Sequence, residues 1–185
     1  MATIDLIVLG MLKTESLSAY DIQKLVEYRN ISKWVKISTP SIYKKVIQLE
    51  NKGYITGSTV KEGKMPEKAV YSLTKAGEAE FEKLMMEIAT KPIQIFLDFN
   101  AVIVNLPSLP TEKQQICLTD IEENVNVLKS YLEENISLKE NVPEIPEIGM
   151  AVLHQQYALV QSIETWIASL REKLTSFEPG ETNYE

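Results

Sequence analysis

The sequence predicts a mainly α-helical chain in two parts. The first part has three short helices, a two-stranded hairpin and a fourth helix; the second part is helical throughout. Three observations carry this. Apolar residues recur at three- and four-residue spacing over most of the chain, the period of an amphipathic helix. One pair of short β-prone segments, separated by a polar connection containing Gly and Pro, interrupts that period. Composition changes near Thr90-Lys91-Pro92: five of the seven glycines come before it, and the later helical patterns are broken by proline pairs.

The elements follow in order. Ile4, Ile7, Val8, Met11 and Leu12 sit at i, i+3, i+4, i+7 and i+8, which predicts the first helix. Ser18-Ala19-Tyr20-Asp21 is a Ser-x-x-acid start signal, and Ile22, Leu25 and Val26 continue one face of a second helix. Thr39-Pro40 predicts an N-cap followed by proline at the first position of a third. Its buried stripe is Ile42, Val46 and Leu49, and Gly53 stands where a C-terminal cap belongs. Tyr54-Ile55-Thr56 with Val60, and Ala69 to Leu73, predict the two strands around Lys61–Pro66. Thr74 can cap a fourth helix that carries Phe81, Leu84, Met85 and Ile88.

In the second part Leu106-Pro107-Ser108-Leu109-Pro110 and Val142-Pro143-Glu144-Ile145-Pro146 predict interhelix loops, because proline disfavours helix at the residue before it. Thr111-x-x-Gln114 predicts a capping box, and Leu118, Ile121, Val125, Leu128 and Leu132 continue that helix. In the last helix Leu153, Val160, Ile167 and Leu174 recur every seven residues, with Ile163 and Leu170 on a second seam that Gln156 interrupts. That spacing fits a dimer seam and equally fits burial against the same chain.

Composition narrows the function. The longest apolar runs, such as Leu6–Leu9 and Ala101–Val104, fall far short of the ~20 residues of a membrane helix. The start, Met1-Ala2-Thr3-Ile4-Asp5, lacks a basic segment and a small-residue cleavage site, so no signal peptide is expected. One cysteine, Cys117, excludes an internal disulfide and suits a reducing cytoplasm. With one histidine as well, no zinc site of the usual ligands is expected, and no cofactor. No catalytic set emerges either: there is no Gly-rich phosphate loop, and any His-based triad would depend on His154 alone. Glu122-Glu123 and Glu133-Glu134 are adjacent pairs that diverge on a helix, so they read as solvated faces.

The net charge of −7 argues at first against nucleic acid, but it is unevenly spread. Residues 1–90 carry 13 Lys/Arg against 11 Asp/Glu, whereas residues 91–185 carry 6 against 15. Within residues 13–68 the balance is 11 basic to 6 acidic. Such asymmetry hints at a nucleic-acid module joined to something else.

Three helices and a two-stranded hairpin make a winged helix-turn-helix, whose third helix enters the DNA major groove. The expected contact set is Thr39, Ser41, Tyr43, Lys44, Lys45 and Gln48, with Lys45 and Gln48 outermost and Ser41 and Lys44 flanking them. Hydroxyls, an amide and ammonium groups suit phosphates and base edges. The hairpin adds Lys61, Lys64 and Lys68; Arg29, Lys33 and Lys36 enlarge the basic surface. A winged helix that binds only proteins is the competing reading.

At these residues the sequence resembles the PadR family of bacterial transcriptional regulators. The matching pieces are Leu9-Gly10, Ala19-Tyr20-Asp21-Ile22, Trp34 and Ser38-Thr39-Pro40-Ser41-Ile42-Tyr43. Further on come Leu49-Glu50-x-x-Gly53-Tyr54-Ile55 and Tyr71-Ser72-Leu73-Thr74-Lys75-Ala76-Gly77. They cover most of residues 4–80, and their order and spacing carry the resemblance. The long helical second part resembles the larger branch of the family by pattern and length. Three positions depart from the family: Ala19 replaces a usual Gly, Lys44 a frequent Pro, and Lys68 stands nearest to a usual wing Arg. Lysine meets phosphate as a point charge rather than a fork, so base readout by the wing is not expected.

The resemblance implies a homodimeric transcription factor, usually a repressor, that binds a double-stranded DNA operator and is released by a small molecule. Residues 1–90 would be the DNA-binding domain, 91–178 the helical dimerisation and effector domain, and 179–185 a tail. The dimer seam would be Leu153, Val160, Ile163, Ile167, Leu170 and Leu174. An effector pocket would draw on Trp34, Phe96, Phe99 and His154, although core packing for the aromatic residues and simple solvation for His154 are the plainer readings. Cys117 reads as a small buried hydrophobe rather than a redox switch.

Overall fold

The structure, a computed structural model, describes residues 2–61, 67–143 and 145–176. The expected Lys64 and the 179–185 tail lie outside the described residues. The chain divides into two compact units, Met1–Gln94 and Ile95–Glu185. Composition put the break near Thr90–Pro92, where the fourth helix ends.

The first unit runs α1 (Ala2–Thr14), α2 (Ala19–Tyr28), a 3-10 turn (Ile31–Lys33), α3 (Ser41–Asn51), β1 (Ile55–Val60), β2 (Lys68–Leu73) and α4 (Lys75–Ala89). Its core is one cluster, in which Val8, Leu9, Ile22, Val26, Ile42 and Val46 are fully buried. All but Leu9 lie on the apolar stripe that the helix's spacing predicts; Leu9, beside the stripe of α1, is buried as well. Their burial stabilises the unit by ~1.5–3 kcal/mol per side chain before conformational entropy is counted.

The expected cap of α2 forms. The Ser18 hydroxyl accepts the Asp21 amide at 3.2 Å, and the Asp21 carboxylate accepts the Ser18 amide at 3.2 Å. Thr74 caps α4 by accepting the Gly77 amide at 3.1 Å. The cap of α3 differs from expectation. The helix begins at Ser41 and Thr39 makes no side-chain cap; instead the Ser41 and Ile42 amides close on the carbonyls of Ser38 and Thr39. Thr39-Pro40 is thus the turn into the helix. At its far end Gly53 takes φ +74°, the left-handed value that glycine adopts without strain.

The wing is antiparallel, with Ile55 opposite Leu73 and Val60 opposite Lys68. Leu17, just before α2, adds a bridge: its amide donates to the Tyr71 carbonyl at 3.1 Å and its carbonyl accepts the Tyr71 amide at 2.9 Å. The hairpin is therefore tied to the helices by backbone bonds as well as side chains.

The second unit holds α5 (Phe99–Asn105), a 3-10 turn (Leu106–Ser108), α6 (Thr111–Lys139) and α7 (Glu147–Ser176). The sequence showed no separate helix at α5. The capping box at Thr111 is not formed: Pro110 precedes the helix without a side-chain cap, and the Gln114 amide group donates to the Leu109 carbonyl at 2.8 Å. α6 and α7 pack together through Ile121, Val125 and Ile167, joined by Phe99, Ile103 and Ile163. Polar bonds bridge the same two helices. Lys129 pairs with Glu164 at 2.8 Å, Tyr157 donates to Glu133 at 2.8 Å, and Arg171 pairs with Glu122 at 2.8 Å. Among the described residues no helix is long and apolar enough to cross a membrane.

Gly77 offers a sharp test of this packing. A Cβ there would lie 2.0 Å from the Tyr54 carbonyl oxygen and 2.8 Å from Leu73 Cδ1. Gly77→Ala is expected to destabilise the first unit by about 3 kcal/mol in urea unfolding followed by circular dichroism. An unchanged midpoint would refute the close approach of α4 to β1.

Candidate nucleic-acid interface

The third helix decides what the first unit can present. Ile42, Val46 and Leu49 fill the core, so the rest of the α3 surface faces outward in an arc. Tyr43, Lys44, Ile47, Glu50 and Asn51 are its exposed members. Ser41 and Gln48 are half-buried along its edge. With Lys36, Ser38 and Lys44 they line a hollow of about 340 Å³ beside the start of α1. Hydroxyl, amide and ammonium groups gathered there can donate to phosphate oxygens.

Lys45 corrects the sequence reading. It was expected outermost, but it is only 8% exposed. Its stem leaves α3 beside the apolar stripe, and its ammonium meets Asp5 Oδ1 of α1 at 2.7 Å. That oxygen is buried and accepts no hydrogen bond among the described residues, so the lysine charge is what compensates it. The pair joins α1 to α3 and removes Lys45 from the surface. The misreading came from treating α3 as a two-sided helix: Lys45 lies only about 70° from the centre of the stripe at ~100° per residue. Asp5, an acid beside the apolar positions of α1, was the overlooked signal.

The wing is fixed to α3 by a residue that the site reading omitted. Glu50 Oε1 accepts the Gly57 amide at 3.0 Å. A Cβ at position 57 would lie 2.7 Å from that carboxylate, so a side chain there would push Glu50 off the amide. Lys61, at the end of the wing, is exposed. Lys68 is exposed and sits 3.8 Å from the Asp21 carboxylate, a loose surface pair. The hydroxyl of Ser18 holds the Asp21 carboxyl below its ordinary value; partial burial opposes this, and the Ser18 amide and the Lys68 charge reinforce it. Tyr20 and Tyr28 expose their rings on α2, with the Lys24 ammonium 5.5 Å from the Tyr20 ring centre.

The remaining expected residues fall as follows. Trp34, in the first unit, is half-exposed rather than a core plug. In the second unit Phe96 is 81% exposed, His154 is exposed, and Phe99 stacks on Trp166 with ring centres 6.0 Å apart. The seam on α7 needs a second correction. Val160 and Ile167 are 3% and 1% exposed within the single chain, and Ile167 packs on α6. They are core residues of this unit and not a free seam. Leu153, Ile163, Leu170 and Leu174 are half-buried. An apolar stripe beside them on α7 is left open, Leu159 and Trp166 with Ile163 between them. Together with Ile95 and Leu97 these residues line a groove of about 520 Å³.

Three helices, a bridged wing and an outward third helix define a winged helix-turn-helix protein. Residues 8–83 match the family model described as the transcriptional regulator PadR-like family. Over these residues the chain is thus similar to PadR-like transcriptional regulators. No curated protein sequence matches it. Solved structures share the fold over nearly the whole chain. Bacillus subtilis PadR in complex with operator DNA aligns with a TM-score of 0.77 at 23% identity, covering 92% of this chain and 97% of that one. The same protein in complex with p-coumaric acid gives a TM-score of 0.77 at 19% identity, covering 94% and 96%. The Vibrio cholerae virulence activator AphA gives 0.70 at 19% identity, covering 94% and 98%.

The buried pair makes a direct prediction. Asp5→Ala leaves an ammonium buried without its counter-charge and is expected to cost about 3 kcal/mol of stability. Asp5→Leu combined with Lys45→Met replaces the pair by apolar contact and is expected to recover most of that loss. Equal unfolding midpoints for wild type and Asp5→Ala would show that the pair contributes nothing.

Proposed function

We propose that this chain is a homodimeric DNA-binding regulator, a repressor whose operator affinity is modulated by a small molecule. The observation that carries the reading is the outward arc of α3, where Lys44 and Tyr43 stand exposed on a helix whose other side is locked into the core. Thr39, Ser41, Gln48, Lys61 and Lys68 complete the contact set, with Lys64 added from the sequence. Lys45 leaves it, because Asp5 already holds its charge. The Lys68–Asp21 pair is exposed and long enough for a phosphate to compete for the ammonium. The operator complex of Bacillus subtilis PadR, which shares the fold, supports DNA as the partner.

One recognition helix reads only a few base pairs, so two half-sites are needed for useful specificity. We place the dimer contact on the open stripe Leu159, Ile163, Trp166 and Leu170, since Val160 and Ile167 are already filled by their own chain. The p-coumaric acid complex of Bacillus subtilis PadR supports a small aromatic effector. Phe96 and Trp34 expose aromatic surface suited to such a molecule, each within its own unit.

Fluorescence anisotropy tests the reading. The full-length protein is titrated into duplex DNA from directly upstream of its own gene and into a scrambled duplex, across a salt series. A preference of ~10³-fold or more is expected for the native fragment. Lys44→Ala and Lys61→Ala are each expected to lower the salt slope by ~1, because each removes one phosphate contact. Equal, salt-insensitive binding to both duplexes would point instead to a protein partner for the winged helix. Leu159→Glu with Trp166→Glu is expected to halve the mass in sedimentation; a folded double variant with unchanged dimer mass would move the interface elsewhere.

A further inference from the structure

We infer that Ile47 is a base-reading residue, packing on the 5-methyl group of a thymine in the major groove. The inference rests on the DNA-binding reading and adds a contact of a different chemistry to it. Ile47 is 55% exposed although it lies on a helix whose apolar stripe is complete without it. At ~100° per residue it points about 130° away from the midpoint of Ile42, Val46 and Leu49. Tyr43, 45% exposed, is four residues before it and Lys44 three, so the three share one face. Positive charge beside an apolar side chain fits a duplex: the ammonium meets the phosphate while the side chain reaches the base edges. In the major groove the thymine methyl is the apolar feature of a base edge, and it distinguishes T·A from the other pairs. Isoleucine suits this role because its β-branch restricts χ1, so little rotamer freedom is lost on contact.

The test separates this contact from the reading beneath it. Duplexes are selected by the full-length protein from a randomised pool, and each thymine of the winning sequence is replaced in turn by deoxyuridine, which removes only the methyl. Wild type is expected to lose about 3- to 5-fold in affinity at one position per half-site. Ile47→Ala is expected to bind the parent duplex more weakly by a similar factor, to show no loss at that position, and to keep the wild-type salt slope. Its exposure means that folding is unaffected, which circular dichroism checks. Failure of selection to yield any preferred duplex would remove the DNA-binding reading itself. A specific duplex on which no deoxyuridine substitution matters, or on which Ile47→Ala keeps the wild-type sensitivity, would overturn this inference while leaving DNA binding intact.

Discussion

The narrow apolar stripe of α3 is the constraint on which the first unit is organised. Ile42, Val46 and Leu49 are almost fully excluded from water, and they bind α3 into a core shared with α1, α2 and β1. Four buried positions in eleven, Lys45 among them, leave more than half of the helix circumference free. That free arc is what makes a helix usable for recognition. The Asp5–Lys45 pair marks the edge of the stripe nearest α1: a charged side chain at the border turns inward because a carboxylate waits there. A buried ion pair of this kind contributes little net stability, since desolvation opposes the attraction, but it penalises rotations of α3 that would separate the charges.

The wing depends on the same helix through short polar links. Glu50 leaves α3 to accept the Gly57 amide, Leu17 bridges Tyr71, and the Thr74 hydroxyl donates to the Gly53 carbonyl at 2.7 Å while capping α4. A two-stranded hairpin alone is marginal in water, so these attachments supply what a third full strand would otherwise give. The close packing also explains the glycine at 77, where a Cβ would strike the Tyr54 carbonyl.

The helical unit shows how one heptad pattern can serve two purposes. Val160 and Ile167 are buried within their own chain, Ile167 against α6, whereas Leu159 and Trp166, each one residue earlier, form a parallel stripe that stays open. A seven-residue repeat reports that a helix face is apolar and says nothing about which chain covers it. The ion pairs Lys129–Glu164 and Arg171–Glu122 flank the covered face and fix the register of α6 against α7.

The sequence by itself determined the order of elements, the stripes of α1 to α4, the caps at Ser18 and Thr74, the wing and the basic character of residues 13–68. These are local properties, set by spacing, cap chemistry and charge within a few residues. The exposed positions of Tyr43 and Lys44 on α3 were legible for the same reason. Tertiary structure decided the rest. It turned Lys45 inward, because Asp5 is forty residues away and only folding brings the two together. It exposed Ile47, because the stripe of α3 is narrower than its apolar content suggests. It gave Val160 and Ile167 to the interior, because the coverage of a helix face depends on what packs there. It also turned the Thr111 signal into an uncapped start, because Gln114 found the Leu109 carbonyl instead. For Lys45 and Ile167 the partner lay outside the window over which spacing and propensity act.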